Sequence, residues 1–471
     1  MNVLLLNPPL RSSNPAESLP FPLGLGYLAS VLRQAGHEAW ILDGCLGPVR
    51  KLEAGLYHVG MTAAEMAAEA VRLGPDLVGI SVPFTSRMAA ALELGREVRR
   101  ALPGVPLVAG GMHATVEPGE LLAAGFDAVL LGEAEISLPL FLEGRLNDGI
   151  ARARDGRVVE IPQAAHPPDL DALPFPARDR LVRGSFEDYL KRGGGRWIRR
   201  GVRVASLITS RGCPYRCTFC SAYRVTGRKY RRRSAANVLD EIADLTAHHR
   251  VEVLAFEDDN LTADRARAAE IFEGIARRFP RLQWMTPNGV SLKHLDPELL
   301  ALMKRSGCRS VNLAFESGDP EMLRVMRKDL DLEQARRVRQ WCREAGIAAN
   351  GYFIIGMPGE TPESLRRSMD YAVSLDLDGL GVFIATPFPG TELYDLCREK
   401  GYLVSAGQRF EADPEVLHRP LIETPWLKAA DLPAWQAEFE RRFRHSYYRR
   451  RPAVRLRRLA ASTLRRLGVR V

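Results

Sequence analysis

Short apolar runs alternate with segments of helical periodicity along the first 140 residues. The runs end in small residues, prolines or acids, which is typical of parallel strands buried on both faces of a sheet. Strands are predicted at 3–6, 39–42, 77–82, 105–109 and 128–131, and helices at 23–35 and about 87–101. We therefore expect residues 1–140 to form an α/β domain with a doubly wound sheet.

The pattern changes twice further along the chain. Residues 141–203 lack a clean period and contain proline pairs and a Gly-Gly-Gly run, so they are predicted to be a linker that crosses a surface between two domains. Over 204–400, strands are predicted at 205–209, 253–257, 283–286, 310–315, 349–355 and 379–385. Six β/α units are too few for an eight-fold barrel of about 250 residues, so we expect a partial (β/α)6 barrel. Residues 401–471 are predicted to be a helical, basic cap.

Composition restricts the class of protein. The chain has 471 residues, of which 46% are hydrophobic and 26% charged, as in ordinary globular proteins. It contains no uncharged apolar run of about 18 residues, so neither a transmembrane span nor a signal peptide is expected, and the cytoplasm is the predicted location.

The net charge of +9 is concentrated in one segment. Residues 441–471 contain 12 arginines and no acid. A helical cap with solvated arginines is the preferred interpretation, peripheral contact with anionic lipid is an alternative, and nucleic-acid binding is the least favoured.

Three of the seven cysteines lie within eight residues, at Cys213, Cys217 and Cys220. An odd, sparse set of cysteines argues against a secreted disulfide framework. Three thiolates on one loop can bind three irons of a [4Fe–4S] cluster and leave the fourth open. A zinc site with a distant fourth ligand and three free thiols are the alternatives. Cys308, Cys342 and Cys397 are expected to be ordinary buried thiols.

The cysteine loop, with Phe219 between its last two cysteines, resembles the signature of the radical S-adenosylmethionine superfamily. The resemblance implies that the open iron chelates S-adenosylmethionine, whose reductive cleavage gives a 5′-deoxyadenosyl radical. It covers roughly 200–400 and implies cofactor contacts at strand ends, from Phe219, Asn288, Glu316, Ser317 and Ile355. For the acidic run at 257–259, capping of the following helix is an alternative.

The first domain resembles the cobalamin-binding domain of cobalamin-dependent radical S-adenosylmethionine enzymes. Glycines at the strand ends allow a large planar ligand to approach the backbone, and hydroxyl groups can bind its nucleotide tail. The implied cofactor contacts are Pro8, Pro9, Ser81, Thr85, Gly110, Gly111, His113, Gly132 and Glu133. The Asp-x-His-x-x-Gly motif that supplies a cobalt ligand in other cobalamin proteins is absent, since 43–47 reads DGCLG. Base-off cobalamin without a protein histidine ligand is therefore expected; a fold that no longer binds the cofactor is the alternative.

The resemblance implies a C-methyltransferase that acts on an unactivated carbon of a small-molecule substrate through methylcobalamin. It also implies a flavodoxin or ferredoxin as electron donor, and it leaves a hydrophobic substrate open. A radical cyclase or rearrangement enzyme acting on a tetrapyrrole or lipid is the alternative with the same cofactors. A non-catalytic iron–sulfur protein that binds membranes or acts as a scaffold is the alternative of another class. No single catalytic residue is identified from the sequence.

Overall fold

A computed structural model describes residues 1–15, 19–52, 55–145, 149–154, 157–160, 166–192, 201–404, 419–454 and 456. Up to residue 192, the strands are β1 Asn2–Asn7, β2 Leu10–Ser12, β3 Glu38–Asp43, β4 Val49–Lys51, β5 Tyr57–Val59, β6 Leu77–Ser81, β7 Leu107–Gly110, β8 Ala128–Leu130, β9 Ile150–Arg154 and β10 Arg157–Glu160. The helices of this part are α1 Leu23–Gln34, α2 Ala63–Leu73, α3 Met88–Ala101, α4 Met112–Val116, α5 Pro118–Ala123, α6 Ala134–Leu142 and α7 Phe186–Arg192.

From residue 201 onward, the strands are β11 Val204–Leu207, β12 Ser210–Arg211, β13 Arg231–Arg232, β14 Val253–Phe256, β15 Gln283–Val290, β16 Cys308–Glu316, β17 Ala348–Ile355 and β18 Gly379–Ile384. The helices are α8 Tyr223–Thr226, α9 Ala235–His249, α10 Arg265–Arg278, α11 Pro297–Arg305, α12 Pro320–Val325, α13 Leu332–Glu344, α14 Pro362–Ser374, α15 Glu392–Glu399 and α16 Leu432–Arg450.

The first sheet has seven strands in the order β10-β9-β8-β7-β6-β1-β3. The strands from β3 to β8 in this order are parallel, while β9 and β10 are antiparallel. Alternate side chains of β1 pack on opposite layers: Leu5 contacts the core under α1, and Leu4 contacts the core under α2 and α3. Because helices cover both faces, the strands are apolar throughout, and the predicted doubly wound fold is confirmed.

Two parts of the first half differ from the sequence-based expectation. Strands β9 and β10 extend the first sheet, although they lie in the predicted linker. Strands β2, β5 and β4 form a separate three-stranded antiparallel sheet, which the sequence did not predict. Each has only three residues, so their side chains show no periodic pattern.

Residues 166–192 pack against both halves of the molecule. The amide of Ala177 donates to the carbonyl of Gly26 on α1 at 3.0 Å, and the amide of Ile41 on β3 donates to the carbonyl of Arg180 at 2.8 Å. Tyr189 and Leu190 are almost fully buried. This part of the predicted linker is therefore an integral layer of the fold and not an exposed crossing.

The second sheet has six strands in sequential order, β11-β14-β15-β16-β17-β18, and all neighbours are parallel. Helices connect the strands, as the predicted (β/α)6 arrangement requires, and that prediction is confirmed. The strands begin and end within a few residues of the predicted bounds, and all their carboxyl ends lie at one edge of the sheet.

Helix α16 covers the last strand of this sheet, and the predicted helical C-terminal part is confirmed for the residues described. The Gln436 amide donates to the Val382 carbonyl on β18 at 2.6 Å. Phe439 is fully buried and packs on Phe353 of β17. Most of the basic tail, 455 and 457–471, lies outside the described residues. In the portion that the structure describes, no helix combines the length and apolarity that a membrane crossing needs.

Candidate functional site

A cavity of about 280 Å³, open to solvent on one side, lies between the two parallel sheets. On one side it is lined by α1 and by the carboxyl ends of β6, β7 and β8. On the other side it is lined by the ends of β11 and β14 with β12, through Ile208, Ser210, Arg211, Glu257 and Asp259. Both sheets thus present their carboxyl ends to one shared space, which is where ligands bind in such folds.

Glycines keep this cavity open. A Cβ atom added to Gly24 would meet no atom within 4 Å, and one added to Gly110 would lie 3.6 Å from its nearest neighbour, the Leu130 carbonyl oxygen. Both residues line the cavity, so their missing side chains leave room for a ligand and do not relieve a contact within the protein. This space beside exposed backbone fits a large planar group with a tail, as expected of cobalamin.

Gly111 has a different reason to be glycine. Its φ of 109° is a left-handed backbone conformation, and a Cβ would lie 2.7 Å from the carbonyl oxygen of Val82. The turn after β7 therefore passes so close to the end of β6 that no side chain fits. This close approach holds two cavity-lining strand ends together.

The predicted cobalamin contacts divide into two groups. Five of them line the cavity: Ser81, Gly110, Gly111, Gly132 and Glu133. The other four are absent from its described lining: Pro8, Pro9, Thr85 and His113.

The residues of the second group bond within the protein. The Pro8 carbonyl accepts from Arg87 at 3.2 Å, and Pro9 is buried. The Thr85 hydroxyl lies 3.2 Å from Nδ1 of His113, whose ring is 2% exposed. For these four residues, a contact with the cofactor stays a prediction.

The three cysteines lie on the loop that follows β12, and each is half-buried. Gly212 starts the loop with φ 85°, where a Cβ would lie 2.3 Å from the Lys229 carbonyl oxygen. Further along, the Thr218 amide donates to the Met326 carbonyl at 3.1 Å, and the Cys220 amide donates to the Cys217 carbonyl at 3.2 Å. The loop is therefore fixed at both ends.

Burial raises the pKa of all three thiols, and that of Cys220 to about 11. Cysteine ligates metal as the thiolate, so a bound cation must stabilise the deprotonated form here. Within the described ranges, no group of three or more His, Cys, Asp or Glu side chains is arranged around a single metal position. In a cubane cluster, by contrast, each thiolate binds a separate iron.

The cysteine loop touches the glycine turn of the first sheet. The Ser221 hydroxyl donates to Sδ of Met112 at 3.3 Å, and Met112 directly follows Gly111. The Tyr223 hydroxyl donates to the Gly390 carbonyl at 3.4 Å, which ties the same loop to the end of the second sheet. The cluster loop and the cavity are therefore neighbours.

Asp258 forms hydrogen bonds with the residues that lead into the cysteine loop. Its buried carboxylate accepts from the Thr209 hydroxyl at 2.7 Å and from the Ser210 hydroxyl at 2.5 Å. The capping alternative for the acidic run is wrong, because Asp264 caps the next helix by accepting from the Arg267 amide. The outer two acids of the run, Glu257 and Asp259, line the cavity.

Glu316 occupies a strained position at the end of β16. Its φ of 63° is unusual for a residue with a side chain, and such strain often marks functional sites. Its carboxylate accepts from Nζ of Lys328 at 2.9 Å. Although burial lowers the pKa of Lys328, the Glu316 carboxylate and the Cys217 thiol raise it by more, so this ammonium group is held charged. Lys328 was not predicted from the sequence, because no motif marks it.

The other predicted contacts to S-adenosylmethionine have partners within the protein. Ser317 is fully buried, and its hydroxyl lies 3.0 Å from the Ser368 hydroxyl. The Ile355 carbonyl accepts from the Ala385 amide at 2.8 Å. The Asn288 side chain donates to the Glu257 carbonyl at 2.9 Å. Phe219 packs against an apolar cluster that includes Met326 and Met357.

The remaining cysteines are buried thiols. Cys308, Cys342 and Cys397 are each at most 2% exposed, as the sequence predicted. Cys45 is buried beside Asp43, whose carboxylate accepts from the Asn7 amide at 2.8 Å and the Tyr189 hydroxyl at 2.6 Å.

Three charged residues at or next to the cavity were not predicted as site residues from the sequence: Arg211, Arg231 and Glu135. Arg211 pairs with Glu133 and Glu135, and Arg231 pairs with Glu133. The partners lie far apart along the chain, so no local pattern could have shown them.

Comparison with known proteins agrees with this geometry. The model of the radical SAM superfamily matches residues 207–372, and the model of the B12 binding domain matches residues 14–142. The chain is 34% identical to cytidylyl-2-hydroxyethylphosphonate methyltransferase of Streptomyces wedmorensis, over 85% of this chain and 82% of that protein. It is 29% identical to the anaerobic magnesium-protoporphyrin IX monomethyl ester cyclase of Rubrivivax gelatinosus, over 85% of this chain and 70% of the cyclase.

Among solved structures, the fold is similar to that of the radical S-adenosylmethionine methyltransferase TsrM from Kitasatospora setae with tryptophan and an S-adenosylmethionine analogue bound. The TM-score is 0.70 at 21% identity, over 94% of this chain and 89% of TsrM. The two sheets, the shared cavity and the three-cysteine loop, together with these matches along most of the sequence, show that the chain belongs to the cobalamin-dependent radical S-adenosylmethionine enzymes.

Proposed function

We propose that this protein transfers a methyl group to an unactivated carbon atom of a small-molecule substrate. The observation on which the proposal rests is the shared cavity. It is lined both by the glycine turns of the first sheet and by the start of the cysteine loop. This arrangement supports direct exchange between a group bound on the first sheet and one bound at the mouth of the second.

The residues available to hold the cofactors follow from the geometry. Cys213, Cys217 and Cys220 would hold a [4Fe–4S] cluster, and the Glu316–Lys328 pair beside them would offer charges of both signs to the polar end of S-adenosylmethionine. The glycine-lined cavity would hold cobalamin. When bound, the cluster with S-adenosylmethionine supplies a radical that takes hydrogen from carbon, and cobalamin supplies the methyl group.

The protein's own contribution is to orient the reactants and exclude water. Leu5, Ile80, Val108 and Leu138 give much of the cavity an apolar wall, which keeps water from a reactive carbon radical.

Two proposals on partners go beyond the geometry of the site. A flavodoxin or ferredoxin would supply the electron that the cluster needs. Peripheral contact of the basic tail with membranes depends on residues outside the described part. Within it, Arg442, Arg450 and Arg451 pair with Asp370, Asp376 and Asp378 of the second half. These ion pairs favour the interpretation that the basic C-terminal region packs as a cap on the second half of the protein.

The test uses S-adenosylmethionine with a deuterated methyl group and anaerobically reconstituted protein. We expect the label first on cobalamin and then, in the presence of a small-molecule extract, on a carbon of one product, with release of 5′-deoxyadenosine. Absence of 5′-deoxyadenosine from protein with an intact, reducible cluster would contradict radical chemistry of any kind.

A variant at Gly110 tests the role of cobalamin separately from that of the cluster. Gly110→Val adds a side chain where the backbone conformation permits one but where the cavity is needed. It should abolish cobalamin binding and methyl transfer while 5′-deoxyadenosine is still formed without substrate turnover. Normal methyl transfer by this variant would place the cofactor elsewhere.

A cyclase with the same cofactors is the second candidate, favoured by the similarity to the magnesium-protoporphyrin ester cyclase. The labelled methyl group distinguishes the two. A cyclase product carries no deuterium from S-adenosylmethionine, whereas a methylated product does.

A further inference from the structure

Two arginines of one short hairpin reach from the second half of the molecule into the first. Arg211 on β12 and Arg231 on β13 are register partners in this two-stranded sheet. Nη1 of Arg231 donates to Glu133 at 2.9 Å, and Nη1 of Arg211 lies 3.2 Å from the same carboxylate. The hairpin therefore holds Glu133 from both strands.

Arg211 has two further partners, and both belong to the first half. Its Nη2 lies 2.7 Å from Glu135, and its guanidinium group stacks 5.0 Å from the ring centre of Tyr27 on α1. The side chains of Arg211, Glu133 and Glu135 are at most 11% exposed. Burial shields these pairs from salt and solvent, so the geometry is fixed far more firmly than at a surface.

The pairs join the two places where the cofactors belong. Arg211 precedes Cys213 by two residues, separated from it only by the constrained Gly212. Its partners Glu133 and Glu135 follow the cavity-lining Gly132, and both also line the cavity. A movement of this side chain would be transmitted directly to the start of the cysteine loop.

We propose that Arg211 is a positioning residue that fixes the cysteine loop relative to residues 132–135 at the start of α6 and so sets the distance between cluster and cobalamin. The inference rests on the proposed function, because it places cobalamin in the cavity and the cluster on the three cysteines. The new element is that the distance between cluster and cobalamin depends on Arg211 as well as on the packing of the two sheets.

A separate group of buried ion pairs helps to hold the two halves of the molecule together. Glu241 on α9 pairs with Arg233 and with Arg178 of the 166–192 layer, and the side chains of all three are at most 5% exposed. None of the three is among the described residues that line the cavity. Loss of the Arg211 pairs should therefore loosen the cysteine loop locally and leave the two halves assembled.

The experiment measures the magnetic interaction between cob(II)alamin and the reduced cluster in the fully loaded protein by electron paramagnetic resonance. We expect the Arg211→Gln variant to show a weaker average interaction than the wild type, with a broader distribution of its strength. The ratio of 5′-deoxyadenosine to methylated cobalamin or product should rise several-fold. Unchanged spin coupling and an unchanged ratio in the folded variant would overturn the proposal.

Arg232→Gln is the matched control. Arg232 is on the same hairpin, but its side chain is 55% exposed and pairs with Asp264 outside the cavity. The control should retain the wild-type spin coupling. An equal change in both variants would show that any loss of charge from the hairpin acts in the same way, and it would contradict a specific role of Arg211.

A second variant keeps the test decisive if Arg211→Gln does not fold. Glu135→Gln removes one charged partner of Arg211 and leaves Glu133 paired with both arginines, so we expect a smaller change in the same direction. A wild-type signal from a folded Glu135→Gln protein would then count against the proposal. Failure of the wild-type protein to bind cobalamin or a cluster would refute the proposed function instead.

Discussion

Glu257 is a single carboxyl group whose surroundings favour its neutral form. It lines the cavity, and its carboxylate accepts from the Ser206 hydroxyl at 3.1 Å. Burial, with a further contribution from Asp258, raises the pKa of Glu257 from 4.5 to about 6, although the Ser206 hydrogen bond opposes the shift. The folded protein therefore binds this proton more tightly than the unfolded chain does.

The first prediction is a pH-dependent gain of stability in Glu257→Gln without cofactors. Wild-type stability falls as pH rises from the unfolded pKa of 4.5 through the folded pKa of about 6, because the buried group must then ionise. Glutamine does not titrate, so the variant should become more stable than the wild type by about 2 kcal/mol above this range and equal below it. Denaturant unfolding at several pH values measures the difference.

Glu273→Gln is the control for this prediction, since Glu273 is an exposed glutamate of α10. Its effect on the free energy of unfolding should be small, because the side chain is in contact with water before and after unfolding. A Glu257→Gln difference that stays constant with pH would show that the pKa of Glu257 is the same in the folded and unfolded protein, and it would contradict the prediction.

Among the elements, α16 shows how a charged helix closes the second half. Its sequence is rich in arginine, yet Phe439 and Phe443 give it a buried face toward β17 and β18. The exposed face holds its charges in pairs along the helix, such as Arg441 with Glu438. The helix belongs to the fold because of its apolar face, and the arginines keep the opposite face in water.

The second prediction concerns Phe439→Ala. Phe439 is 0% exposed, and its ring centre lies 5.4 Å from that of Phe353. Removal of this ring should lower the free energy of unfolding by about 3–5 kcal/mol. Arg441→Ala on the exposed face should cost less than about 1 kcal/mol. Chemical unfolding followed by circular dichroism compares them, and equal costs would mean that α16 is not packed as described.

At the scale of the whole molecule, buried ion pairs join parts that lie far apart in the sequence. Glu241 is fully buried between Arg178 and Arg233, and the Arg178 pair is 63 residues apart along the chain. Such pairs contribute little net stability over an apolar core, but removal of one partner leaves a buried charge uncompensated. Assembly of the two halves should therefore be sensitive to loss of Glu241.

The third prediction compares two neighbouring acids of α9. Glu241→Ala leaves two buried arginines unpaired and should cost at least about 3–5 kcal/mol, with faster proteolysis of the 166–192 layer. Asp240→Ala removes an exposed pair with Arg278 and should cost less than about 1 kcal/mol. Unfolding and limited proteolysis are the measurements, and similar behaviour of the two variants would contradict the role of Glu241.

Much of the fold was predictable because its signals are local. Runs such as 3–6 show by their composition alone that they are buried on both faces, and the helices between them follow from periodicity. The spacing of Cys213, Cys217 and Cys220 requires only one loop, so it indicated a cluster without any knowledge of the rest. Short strands such as β2 and β4 gave no signal, because three residues carry no period.

The sequence by itself determined where the strands and helices lie along the chain, and it indicated which loop carries the three cysteines. Only the tertiary structure decided which side chains face the cavity. It placed Ser317 and His113 in internal hydrogen bonds, and it brought Arg231 to Glu133 across 98 residues. The physical reason is that backbone conformation follows from near neighbours, whereas the partner of a buried polar group is chosen by whichever segment packs against it.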